Sequence, residues 1–158
     1  MPDEKTYTQL EFHKKMGVDL YNMTWDLLEK ADRTPDENVR MIHAAHASRL
    51  HWGEFGQPVN LARGEWQTSH VYAVLNRPEP ALYHAQLSLE ICRANDIVDF
   101  DLAFAHEAVA RAQALDGNMA GAKASIAEAR KAADIIKEEK DKTYFLSQLA
   151  TVPGFQDA

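Results

Sequence analysis

Two stretches of this chain repeat one another 41 residues apart, and that period limits the fold more than any other feature. Ser69 falls on Ala110, Ala73 on Ala114, Asn76 on Gly117, Ala81 on Ala122, Ala85 on Ile126 and Ser88 on Ala129. Each copy carries a small residue in mid-segment, a turn residue seven positions later and alanine five positions after that. Small residues at those places let two antiparallel helices approach closely, so the repeating unit is a helical hairpin. A fainter copy lies upstream at 44 residues, setting Asp32 on Asn76, Met41 on Ala85 and Ala44 on Ser88.

Alanine, the best intrinsic helix former, is concentrated from Ala94 to Ala133, and strand signals are nearly absent. The chain therefore reads as all-α. Helices are expected over about 7–31, 35–53, 59–75, 80–94, from Asp99 or Asp101 to about 115, over about 119–137, and in a last short segment holding Tyr144, Phe145, Leu146 and Leu149. Thr34 suits the cap of the second helix and Pro35 its first position. Pro78 and Pro80 are read as part of the break before the fourth. One domain over 1–158 results, with helix pairs at about 7–53, 58–95 and 99–137 and a capping helix at about 141–151.

Charge and cysteine use narrow the function. Seventeen Lys and Arg against 24 Asp and Glu give a formal charge of −7, which argues against nucleic acid as a partner. The single cysteine excludes an internal disulfide and suits a reducing compartment. The acidic N-terminus has no signal-peptide pattern, and no stretch nears the ~18 apolar residues of a membrane span. A cytoplasmic protein without membrane contact is the expectation.

The hairpins resemble the tetratricopeptide repeat family, whose first helix carries W-x2-L-G-x2-Y and whose second carries A-x3-F. The better copy here reads His106-x2-Val109-Ala110-x2-Gln113, then Gly117-Asn118, then Ala122-x3-Ile126-x2-Ala129. The other reads Glu65-x2-Thr68-Ser69-x2-Tyr72, then Asn76-Arg77, then Ala81-x3-Ala85-x2-Ser88. Trp66 stands one place from the family's aromatic position, the closing proline is missing, and the period exceeds the usual ~34 residues. The resemblance implies a short right-handed α-α superhelix, closed by a C-terminal helix, that binds a partner protein or peptide in its concave groove. It implies that the groove is lined by Asp19, Asn22 and Asp26 of the first helix. The third helix would add Arg63, Trp66, Gln67 and His70, and the fifth Phe104, Glu107 and Arg111. Independently of the family, Arg63, Trp66, Gln67 and His70 share one helix face by their spacing.

A rival site is His43-Ala-Ala-His46 with His51 and Glu54, where three imidazoles and a carboxylate could chelate a divalent ion. Its spacing matches no metal motif with a defined mechanism, and His43 and His46 share a stripe with Val39, Ile42 and Leu50. His13, His84 and His106 stand apart and read as structural. Cys92 lies on the Ala85/Leu89 stripe and reads as core. Neither a nucleophile motif nor a Gly-rich phosphate loop is present. The expectation is a binding module rather than an enzyme, with no cofactor, and with Tyr83-His84 on an outward edge open to a second copy.

Overall fold

Seven α-helices, and no strand among the described residues 3–155, make up the computed structural model. They are α1 (Gln9–Glu29), α2 (Pro35–Gly53), α3 (Pro58–Val74), α4 (Pro78–Ala94), α5 (Phe100–Leu115), α6 (Met119–Ala133) and α7 (Glu139–Leu149). Thr8 and Thr34 open α1 and α2 with reciprocal caps, each hydroxyl accepting from the backbone N–H of Glu11 or Glu37 while that glutamate accepts from the threonine N–H. Such caps contribute about 1 kcal/mol apiece.

Helices pack as the hairpins α1–α2, α3–α4 and α5–α6, which join through α2–α3 and α4–α5. The first helices also touch one another in the order α1–α3–α5–α7, whereas α2, α4 and α6 do not meet among the described residues. The stack therefore closes more tightly on the side of α1, α3, α5 and α7, which form its inner row.

The 41-residue register has a physical basis at both ends of each hairpin. All ten residues matched above within the helices are buried, from Ser69 and Ala110 to Ser88 and Ala129. At the turns, Asn76 (φ 55°) and Gly117 (φ 81°) both enter the left-handed region. The same hydrogen bonds close both turns: Arg77 N donates to Tyr72 O and Asn118 N to Gln113 O, each at 2.9 Å. This is the six-to-one closure of a Schellman-type cap.

The first hairpin ends differently, which explains its fainter match. Asp32 does not take the left-handed conformation. Instead Arg33 Nη1 donates to the carbonyls of Leu27, Leu28 and Lys30 at 3.0, 3.3 and 2.7 Å, satisfying the end of α1 with a side chain. Only the buried half of the copy, Met41 and Ala44, matches its counterparts Ala85 and Ser88.

Two helix bounds differ from expectation, and a third falls on one of the two alternatives. Pro78 and Pro80 begin α4 rather than break the chain before it, because the first turn of a helix leaves its N–H groups unpaired in any case. Asp99, with φ 68°, precedes α5 and accepts from Phe100 N at 2.7 Å, which leaves Asp101 free for another role. The sixth helix stops at Ala133, and the chain turns so that Ile136 enters the core.

A Cβ added at Gly117 would meet nothing within 4 Å, so the cost of one there is purely conformational. Gly117→Ala should lower unfolding free energy by about 1 kcal/mol, while Asn76→Gly at the equivalent turn should lower it not at all. Urea denaturation of the two variants checks both signs.

Candidate functional site

The inner row holds a cavity of about 410 Å³ to which all four of its helices contribute. Tyr21 and Trp25 come from α1, Arg63 and Trp66 from α3, Phe100, Asp101 and Phe104 from α5, and Asp141 and Tyr144 from α7. Small side chains, Ala62 and Ser88, leave the space between them. The aromatic rings pack on one another as well as on the cavity. Trp25 and Trp66 stack at 5.8 Å between centroids, Trp66 meets Phe104 edge-on at 5.5 Å, and Phe104 contacts Tyr144 at 6.0 Å. Arg63 pairs with Asp101 as a two-pronged fork, Nε to Oδ1 at 2.8 Å and Nη2 to Oδ2 at 3.0 Å.

Of the ten residues expected to line the groove, three do so: Arg63, Trp66 and Phe104. Four others lie behind or beneath it. His70 stacks face to face on Trp66 at 5.0 Å and an 11° interplanar angle. Burial, with the nearby Arg111 charge, pushes its imidazole down to about 4. Gln67 is fully buried and donates from Nε2 to Tyr21 O at 3.0 Å, fastening α3 to α1. Glu107 is also buried, and Arg111 Nε donates to its Oε1 at 2.7 Å. Burial raises the Glu107 carboxyl, while Arg111 and the Trp66 indole oppose the rise. The remaining donors of Arg111 reach Gln148 O at 3.1 Å and Thr151 Oγ1 at 2.7 Å, so this residue holds the end of α7 rather than a ligand.

Asp19, Asn22 and Asp26 are exposed on α1 and do not line the aromatic cavity. Asp19 pairs with Lys15. The pocket face of α1 is centred on Tyr21 and Trp25; at 100° per residue Asn22 falls to its side, and Asp19 and Asp26 turn toward the opposite face. The repeat carried no signal for Trp25, because the upstream copy runs at 44 residues and sets Trp25 on Ser69 rather than on Trp66. Tyr144 and Asp141 had none either, because α7 lies outside the repeat.

The rival metal site does not assemble. His43, His46 and His51 project from α2 in directions up to about 140° apart, so they meet different neighbours. His43 is exposed beside Leu20, Met23 and Arg40, His46 Nε2 lies 2.8 Å from Tyr72 Oη, and His51 Nδ1 lies 2.9 Å from His13 Nδ1. Glu54 is exposed beyond the end of α2. Among the described residues, no three His, Cys, Asp or Glu side chains are grouped to share a metal ion.

Two histidines read as isolated are instead partnered. His13 bonds His51, and His84 Nδ1 lies 2.7 Å from Glu65 Oε2. Glu65, nearly buried, also has Arg49 Nε at 2.8 Å from its other oxygen. Gly64 lets Arg49 pass, since a Cβ there would sit 2.8 Å from Arg49 Cδ. His84 further stacks on Tyr72 and touches His46. This polar cluster ties α2, α3 and α4 together and does not line the aromatic cavity. Cys92 is buried as expected, and burial raises its thiol to about 11. No helix of the described residues is long and apolar enough to cross a membrane.

Compared with protein-family models, with curated proteins and with solved structures, the chain matches none.

Removing Arg111 strands the buried Glu107 and the last carbonyls of α7. Arg111→Met should cost about 3–5 kcal/mol in a denaturant titration and open α7 to proteolysis, while adding Glu107→Gln should recover part of the loss.

Acid should also destabilise the fold. Burial lowers His46, His70 and His106, so between about 6.5 and 4 the unfolded chain binds protons that the folded chain refuses. Stability is full above the ordinary histidine value and falls as pH drops through that window. His70 alone should account for about 2 kcal/mol by pH 5. Urea midpoints at pH 7.5 and 5 measure the loss, and His70→Phe should reduce it.

Proposed function

We propose that this chain is a tetratricopeptide-like adaptor or regulatory module that captures a partner peptide on its inner row and works in the cytoplasm. The observation that carries the reading is the aromatic cavity of about 410 Å³, assembled from α1, α3, α5 and α7 together. A space of that size fits one or two anchoring side chains of a ligand. Its walls are Trp, Tyr, Phe and Arg, the residue types that concentrate binding energy at interfaces, apart from Phe. Tyr144 is half exposed while its ring still meets Phe104, so it can cover an incoming group without first being uncovered itself. Stacked helical hairpins with a final helix over the last pair agree with the family resemblance, which rests on packing positions and so bears on binding rather than on a reaction.

Trp66 is unsuited as the test residue. It packs on Trp25, His70 and Phe104, so its loss would unsettle the core as well as the pocket. Tyr144 is half exposed, so its loss disturbs the core less. Peptides selected from a random library against the native protein should bind Tyr144→Ala about tenfold more weakly and His43→Ala equally well, by calorimetry. Selected peptides that bind Tyr144→Ala and Trp25→Ala at native affinity would overturn the proposal.

A further inference from the structure

The cavity has two unlike parts, and together they specify the chemistry of its occupant. One part is the apolar wall formed by Tyr21, Trp25, Trp66 and Phe104. Trp25 and Trp66 stack on each other, so they are not two facing plates with a gap between to enclose a flat group. Such a wall suits a straight apolar stem lying along it, more than a bulky head enclosed on all sides.

The other part is an acidic edge. The charged side chains that line the cavity are Arg63, Asp101 and Asp141, giving a net charge of −1. Arg63 is already engaged by both carboxylate oxygens of Asp101. Asp141 has no ion-pair partner among the described residues, and its neighbour Lys142 turns instead to Asp134, at 3.8 Å. An uncompensated carboxylate therefore faces the cavity beside the ring of Tyr144. The negative face of an aromatic ring and a free carboxylate both favour a cation. The chain's charge of −7 attracts cations from a distance as well.

A ligand with an apolar stem and a cationic tip is a lysine side chain. Lysine covers apolar surface with its methylenes while its ammonium seeks charge and water. We infer that the aromatic cavity of the inner row receives a lysine side chain of the partner peptide, its stem against Trp25 and Trp66 and its ammonium at Asp141. This inference rests on the reading of the cavity as a peptide site and adds the identity of the anchor.

The test uses the three tryptophan indole N–H signals of the 15N-labelled protein. Trp25 and Trp66 report on the cavity, and Trp52, packed against Gly17 and Phe55, serves as the internal control. Two five-residue peptides are titrated, one with a central lysine and one with norleucine, which keeps the stem and lacks the ammonium. The lysine peptide should shift Trp25 and Trp66 but not Trp52, and should bind about tenfold more tightly than the norleucine peptide. Asp141→Asn should weaken the lysine peptide about threefold or more and leave the norleucine peptide unchanged; that second result reports that the pocket is intact. Added salt should weaken the lysine peptide alone.

Equal binding of the two peptides would overturn the cation while keeping the cavity as a peptide site. Indole signals unmoved by either peptide would overturn both. Shifts produced by free hexylammonium but not by the lysine peptide would place a small amine in the cavity and overturn the partner chain as its source.

Discussion

Sixteen of the 26 buried apolar residues among those described are alanine, so the helices are held by closeness rather than by large interlocking side chains. An alanine buries little area, and its contribution comes from the dense backbone contacts that its small size permits. Such a core is sensitive to separation, because dispersion falls off within an ångström of optimal contact. The three hairpins can close only where the facing positions stay small, as at Ala81, Ala85, Ala122 and Ala129, all fully buried.

Smooth alanine faces supply little that would stop one helix sliding along another, and buried hydroxyls provide the registration. Ser48 Oγ donates to Gly17 O at 2.7 Å, Ser69 Oγ to Ala81 O at 2.7 Å and Ser88 Oγ to Ala62 O at 2.9 Å. Each bond crosses from one helix of a hairpin to a backbone carbonyl of the other, where a shift of one residue would leave a buried hydroxyl unpaired. The Glu65 cluster performs the same service between hairpins, joining Arg49 of α2 and His84 of α4 through one carboxylate of α3. Many buried positions of the outer helices are filled by small or hydrogen-bonded groups, among them Ala44, Ser48, Ala81, Ala85, Ser88, Ala122 and Ala129, and the larger rings gather where the inner helices face one another. The aromatic cavity is thus the complement of the alanine core.

This division explains what was legible in the sequence. Hairpin geometry repeats, so Ser69, Asn76, Ala81 and their partners 41 residues on announced both the helices and their turns. Site residues do not repeat in kind. The position of Trp66 recurs 41 residues on at Glu107, where the register is kept but the chemistry changes to a buried carboxylate. Helical spacing told correctly that Arg63, Trp66, Gln67 and His70 share a face, but it could not tell depth. Gln67 and His70 lie beneath the surface that Arg63 and Trp66 present. The partners of the histidines were not legible for a related reason: His46, Tyr72 and His84 meet only after three helices are stacked, and no local pattern encodes that meeting.

Helix α7 connects stability to binding. Phe145 and Leu149, buried against α5 and α6, cover the end of the last hairpin. Arg111 adds a polar tether, fixing the Gln148 and Thr151 end of the helix to buried Glu107. That same helix delivers Tyr144 and Asp141 to the cavity, one and four residues before Phe145. The residues that seal the core and those that complete the cavity thus sit on adjacent faces of one 11-residue segment. A segment this short has little helical stability of its own and depends on its docking. Any occupant that touches Tyr144 or Asp141 therefore favours the docked helix over the detached one, and by linkage a detached helix lowers the affinity for that occupant by the same factor. The ion pair of Glu107 and Arg111, which lies behind the Trp66 indole of the cavity wall, thus sets how often the site is whole.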